Sequence, residues 1–269
     1  MGRRGVTAQA APLPLGAPAA GQPRDDQHTV QRVMRRATVT GQMTWRDAVR
    51  AHRWRLVALF AGVLAPLAVF GSLASEVWGH EGFAWDAPIL RWVHGAATPA
   101  HDRVMVAIST LGGARGLLPL CAVVAGILLW RRRWGDASFL VLAYGGAAVL
   151  NVLAKALFHS ARPALWLSPA PEHGYGFPSG HAMTSVALFS ACVVLAWPTR
   201  WRWPLLLVAG VATLAIGLSR VYLGVHFPSD VLAAWLAGLA WVIGLHLIVA
   251  TPAVRRATSA LQTSRRSRA

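Results

Sequence analysis

Six stretches of the chain carry almost no polar residues, at about 56–75, 116–130, 137–158, 182–197, 204–219 and 229–250. A helix of roughly 17–25 residues crosses the hydrocarbon core of a bilayer. The first, third and sixth stretches reach that length; the other three reach it when a turn of interfacial residues is added at an end. One such run reads equally well as a buried helix of a soluble protein, but six in one chain read as a membrane bundle. The pattern therefore predicts an all-α integral membrane protein with six transmembrane helices. The segment between the first two runs, about 76–115, is long for a simple connection. Asp86 with Pro88, and Thr98 with Pro99, mark two helix starts there. Val104, Met105, Ile108 and Leu111 follow helical spacing, and Gly112-Gly113 stops that helix. These short interfacial helices either lie in the membrane plane and shape a lipid entrance or pack over the end of the bundle, and the pattern favours neither.

Composition sharpens this picture. Of 269 residues, 55% are hydrophobic, which suits a chain whose solvent is lipid. The net charge of +16 would ordinarily raise nucleic acid as a partner. Its distribution argues against that, because the arginines sit mostly in the tails and in short loops between apolar runs. With both tails and the 131–136 and 198–203 loops on one side, that side holds twenty of the 26 basic residues, and the other side is electrically neutral overall. The arginine-rich side is expected to be cytoplasmic, and an even number of spans places both tails there as well. Three segments follow: residues 1–42 as a disordered basic tail, 43–252 as a six-span domain, and 253–269 as a basic cytoplasmic tail. The Ala-Pro-Leu stretch at 10–20 is broken by prolines and makes a poor signal-peptide core. Met43 opens the better-patterned part of the chain and is an alternative start of translation. Cys121 and Cys192 lie inside apolar runs, without metal-ligand spacing, as small packing residues.

Three polar clusters interrupt the apolar runs, all on the side opposite the arginine-rich loops. Lys155 and Arg162 are seven residues apart, two helical turns, so on a continuous helix they share one face. Taken alone, that pair reads as cations snorkelling to lipid headgroups. Pro178-Ser179-Gly180-His181 reads as a turn entering a helix, with the proline in the first turn. Free N–H groups, a hydroxyl and a glycine at a helix start suit an anion, although Ser179 would also serve as an ordinary cap. Ser219-Arg220 precedes His226 and Asp230, which are four apart at the start of the sixth run. That spacing lets the carboxylate accept from Nδ1–H and leaves Nε2 free to attack. Together the clusters offer three cations, an N–H nest, a hydroxyl, two imidazoles and a carboxylate. This is what phosphoryl transfer needs, with no carboxylate cluster for a divalent metal and no cofactor.

The pattern Lys-x6-Arg-Pro, Pro-Ser-Gly-His, Ser-Arg-x5-His-x3-Asp resembles the motifs of the type 2 phosphatidic acid phosphatase superfamily. The match is residue by residue at Lys155, Arg162, Pro163, Pro178, Ser179, Gly180, His181, Ser219, Arg220, His226 and Asp230, and it covers the chain from about residue 100 to 250. The resemblance implies that His226 forms a phosphohistidine, with Asp230 holding its ring. It implies that His181 protonates the leaving oxygen and then activates water. Lys155, Arg162 and Arg220 would hold the phosphate oxygens, helped by Ser179 and the backbone at Gly180.

The function so expected is metal-independent hydrolysis of a phosphate on a membrane lipid, at the outer face of a bacterial inner membrane. Undecaprenyl diphosphate, phosphatidylglycerol phosphate and phosphatidic acid are the candidate substrates. The first is slightly favoured, because its headgroup is exposed on that side and the Gly-Tyr-Gly-Phe-Pro-Ser-Gly-His stretch resembles bacterial members of this kind. A lipid or anion transporter using the same pocket without chemistry is the alternative. It needs neither an orienting acid beside His226 nor a second histidine. A vanadate-dependent haloperoxidase has a similar oxyanion pocket, but six spans argue against it. His159, His173, Tyr175 and Phe177 flank the motifs without an assigned role, and His246 deep in the sixth run reads as a packed histidine.

Overall fold

The computed structural model, which describes residues 53–79 and 82–249, has one helix at each of the six apolar runs. Eight helices occur among the described residues: α1 (Arg53–Trp78), α2 (Asp86–His94), α3 (Pro99–Gly112), α4 (Ala114–Trp130), α5 (Trp134–Phe158), α6 (Gly180–Ala196), α7 (Arg202–Tyr222) and α8 (Pro228–Val249). No strand occurs among them. The expected tails at 1–42 and 253–269, and Met43, lie outside the described residues.

By length and composition, α1, α5, α7 and α8 can each cross a membrane. Helices α3 and α4 make a fifth such element if taken as one span bent by 44°. Helix α6, with 17 residues, is shorter. The faces turned away from the bundle are apolar: Val57, Phe60, Leu207, Val208, Val211 and Leu214 are all exposed. On a soluble protein so much exposed apolar surface would aggregate, whereas in lipid it is solvated. Exposed tryptophans cluster where the arginine-rich loops join the helices, at Trp130, Trp134, Trp197, Trp201 and Trp203. The guanidinium groups of Arg200 and Arg202 lie over the rings of Trp201 and Trp203. Such a belt is the usual signature of a membrane–water interface.

Helix α6 runs through the middle, packed on α5, α7 and α8. It can do so because the residues it buries are mostly small: Ala182, Ser185, Ala187 and Ala191 have no exposure. In lipid, helices gain little from hydrophobicity and much from close approach, which small side chains permit. Trp241 of α8 donates its indole N–H to the carbonyls of Leu142 and Ala143 of α5, at 3.2 and 3.1 Å.

The two short helices start where the sequence puts them. Thr98 caps α3 by accepting from the His101 N–H at 3.1 Å, with Pro99 as first helical residue. Asp86 opens α2, and its carboxylate accepts from the Ser229 N–H at 3.0 Å and the Ser229 hydroxyl at 2.5 Å. That fastens α2 to the first turn of α8. Helix α3 is fastened to α7, where the Tyr222 hydroxyl donates to Asp102 at 2.8 Å. Of the apolar residues at helical spacing on α3, Met105 and Ile108 are half-buried. Val104 and Leu111 are exposed, while Ser109 and Gly112 are buried.

Candidate active site

The chain reverses sharply between α7 and α8, and the reversal places His226. Gly224 has a φ of +67°, the left-handed region that glycine adopts without strain. A Cβ there would also strike the Trp166 indole at 2.6 Å. Beyond it, His226 is fully buried ahead of Pro228, the first residue of α8, so the histidine lies just outside the helix that carries Asp230. Asp230 Oδ2 accepts from the Phe227 N–H at 2.9 Å and stands 3.3 Å from His226 Nδ1. On the other side of the ring, Arg162 Nη1 stands 3.0 Å from His226 Nε2 and donates to the Val225 carbonyl at 2.8 Å. A guanidinium only donates, so Nε2 is the lone-pair nitrogen and Nδ1 carries the proton directed at Asp230. Burial, together with the charges of Arg162, Arg220, Lys155 and His181, holds the imidazole well below its ordinary pKa, and so neutral.

Ser179 is the N-cap residue of α6, but its side chain makes no capping bond. Its hydroxyl is buried, with no partner among the described residues. An unpaired buried hydroxyl at a helix N-terminus is available to an anion. Pro178 does not occupy the first helical turn, contrary to expectation; α6 begins at Gly180 and Pro178 precedes the cap. What fixes Pro178 is Asn151 of α5, whose amide donates to its carbonyl at 3.0 Å. The Ser179 N–H donates to the Asp230 carbonyl at 3.1 Å, joining the start of α6 to the start of α8. His181, the second residue of α6, lies against Gly113: a Cβ on that glycine would come within 2.6 Å of its Nε2. Gly113 thus provides the space in which the His181 ring sits.

Arg220 is buried in the last turn of α7 and donates to the hydroxyl of Ser109 in α3. Arg162 also donates to the Gly174 carbonyl at 3.0 Å, and Lys155 Nζ to the Tyr175 carbonyl at 2.7 Å. Lys155 is therefore at the edge, holding the 159–179 loop, while Arg162 and Arg220 reach the centre. His159 ends α5 in the left-handed conformation and packs its ring edge-on to Tyr175. Phe177 is buried against Phe70 and Phe158, and His246 lies near Phe139 in the bundle.

One group at the centre carries no signal in the motif spacings. The Glu172 carboxylate, from the 159–179 loop, lies 3.1 Å from Arg162 Nη2 and pairs with Arg220 Nη2. The same carboxylate is 3.7 Å from His181 Nδ1 and 3.8 Å from His226 Nε2. Burial alone would raise the Glu172 pKa, but Arg220, with His181 and Arg162, holds it below the usual carboxylate range. An anion at this point is held by two guanidinium groups and flanked by two imidazoles. Among the described residues, no three His, Cys, Asp or Glu side chains are grouped so as to hold a metal ion.

The PAP2 superfamily model matches residues 136–253, which contain all three clusters. Phosphatidylglycerophosphatase B of Bacillus subtilis is 33% identical over 150 residues, covering 52% of this chain and 71% of the relative. The chain belongs to the PAP2 superfamily. Undecaprenyl-diphosphatase of Sulfolobus acidocaldarius is 26% identical over 197 residues, covering 71% of this chain and 87% of the relative. Among solved structures, the transmembrane PAP2-type phosphatidylglycerolphosphate phosphatase of Bacillus subtilis superposes with a TM-score of 0.62 at 28% identity. That match covers 68% of this chain and 93% of the other. The chain is thus a PAP2 phosphatase with membrane-spanning helices.

Proposed function

We propose that this PAP2 phosphatase cleaves its substrate through a phosphohistidine on His226. The observation that carries the reading is the hydrogen-bond set of that one ring. Arg162 donates to Nε2, Asp230 accepts at Nδ1, and burial keeps the imidazole neutral. A neutral imidazole becomes the nucleophile when the Arg162 hydrogen bond at Nε2 gives way to the substrate phosphorus and the guanidinium turns to the phosphate oxygens. In the first step Nε2 attacks phosphorus, the P–O bond to the lipid breaks, and His181 gives a proton to the leaving oxygen. In the second step His181 takes a proton from water, which attacks the phosphohistidine and frees inorganic phosphate. Arg162 and Arg220 hold the equatorial oxygens, the Ser179 hydroxyl and the N–H groups at Gly180 add donors, and Lys155 supports the rim.

Six spans are part of this reading, with α4 as the second and α6 as the fourth, and α2 and α3 as the interfacial helices. Both termini face the cytoplasm and the pocket faces outward across a bacterial inner membrane, supported by the arginine distribution and the tryptophan belt beside it. The substrate is undecaprenyl diphosphate, phosphatidylglycerol phosphate or phosphatidic acid, the first two being those named for relatives. The domain reading of 43–252 between two basic tails stands with it.

The test is phosphate release from purified protein in detergent, over a panel of lipid phosphates, with and without EDTA. Release from at least one lipid, unaffected by EDTA, is expected. Loss of activity in EDTA would contradict the metal-free mechanism, and binding without release from any lipid would favour a transporter. A tag at the C-terminus is expected to be inaccessible from outside intact cells.

A further inference from the structure

The pocket that would take a phosphate holds a carboxylate of the chain itself. Glu172 touches Arg162 and Arg220 and stands within 3.8 Å of both His181 and His226. These are the contacts a substrate phosphate needs, so substrate and carboxylate cannot occupy the pocket together. Glu172 is also placed to leave. Its side chain is 28% exposed, while Arg220 and His226 beneath it are about 1% exposed. The loop backbone around it is separately anchored, by Arg162 to Gly174 and by Lys155 to Tyr175. Rotation of one side chain toward solvent therefore clears the site without unfastening the loop.

Displacement is selective by charge. The membrane that surrounds the site is itself built largely of phosphodiesters, each carrying one negative charge. A terminal phosphate monoester carries about −1.5 to −2 at neutral pH. Exchanging a carboxylate for a phosphodiester swaps one single charge for another, so the two guanidinium groups gain nothing in Coulomb attraction. A dianion roughly doubles that attraction in a site of low dielectric. We propose that Glu172 is a specificity gate: its carboxylate occupies the phosphate pocket as an internal competitor that a terminal phosphate displaces and a bilayer phosphodiester does not. The inference rests on reading the pocket as the phosphate site.

The experiment uses two soluble anions against hydrolysis of phosphatidic acid in detergent: orthophosphate, mostly dianionic at pH 7.5, and dimethyl phosphate, a monoanionic diester. Native protein is expected to be inhibited competitively by orthophosphate and to ignore dimethyl phosphate. In Glu172→Gln, dimethyl phosphate becomes a competitive inhibitor, and the ratio of its inhibition constant to that of orthophosphate falls by on the order of ten-fold or more. Glu172→Asp, which keeps the charge, retains the rejection. An unchanged ratio in a Glu172→Gln protein that turns over would overturn the gate. So would a folded Glu172→Gln protein that loses turnover and gains no diester binding, because the glutamate would then serve the chemistry or hold the arginines. If the glutamine variant does not fold, Glu172→Ser, which also removes the charge, takes the same ratio test, and an unchanged ratio there would overturn the gate. Native protein with neither turnover nor orthophosphate binding would remove the phosphatase reading itself; turnover with an unchanged ratio removes the gate alone.

Discussion

The guanidinium of Arg162 donates to His226 Nε2 across 3.0 Å, fixing which nitrogen of the imidazole carries the lone pair. The same guanidinium reaches the Val225 and Gly174 carbonyls and the Glu172 carboxylate. A planar fork makes those bonds simultaneously, and an ammonium cannot. Arg162→Lys, which keeps the charge, is therefore expected to lower kcat/KM by roughly 10–100-fold, the range for losing a charge-assisted hydrogen bond. Steady-state phosphate release checks it, and activity near that of native protein would show that charge alone suffices.

The environment of His226 sets a pH dependence. In the proposed mechanism the ring attacks only when unprotonated, and burial with the surrounding cations lowers its pKa. The acidic limb of kcat/KM, which reports the free enzyme, is therefore expected below the ordinary histidine value of about 6.5. Removing one of those cations in Arg162→Gln raises the pKa again, so the limb should move to higher pH. A pH profile of both proteins decides, and a shift toward lower pH would contradict the assignment.

Gly113 gives a steric test of His181. A methyl group at that position would stand 2.6 Å from His181 Nε2 and 3.2 Å from Cδ2. The glycine has a φ of −92°, which any residue adopts, so Gly113→Ala acts through space rather than through backbone strain. Full loss of general acid–base help costs on the order of 10²–10⁴-fold in rate, so Gly113→Ala should lower kcat by less than His181→Ala but by at least about ten-fold. Unaltered kcat would mean that His181 does not need this position.

The buried Asp86–Ser229 pair tests the support beneath α8. Asp86 accepts two hydrogen bonds from Ser229, the residue before Asp230. Asp86→Ala removes both acceptor oxygens, leaving the Ser229 N–H and hydroxyl without their buried partner at a cost of about 1–3 kcal/mol. A lower Tm in detergent is expected, with a smaller loss of kcat than any pocket substitution. An unchanged Tm would show that α2 does not hold the start of α8.

These tests also show what the sequence carries and what it omits. Lys155 with Arg162, Ser179 through His181, and Arg220 with His226 and Asp230 are legible because each set is local and its spacing has a chemical meaning. Ser109 is not, since it meets Arg220 across 111 positions. On that helix Val104 and Leu111 are exposed, whereas Ser109 and Gly112 are buried against the bundle. Pro178 is displaced from its expected place in the helix because the buried amide of Asn151 holds its carbonyl. Asn151 lies one helical turn before Lys155 on the same helix, a spacing that could have been read. Glu172 sits in an irregular loop, where no periodicity says which way a side chain turns.

The proposed hydrolysis passes through a covalent bond between phosphorus and His226 Nε2. Mixing the protein with lipid substrate labelled in its terminal phosphate, quenching in alkali and mapping the label by peptide detects that bond. Label is expected on the peptide carrying His226 and none in His226→Ala. Label that persists in His226→Ala, or turnover by native protein with no phosphoenzyme at any time after mixing, would contradict it.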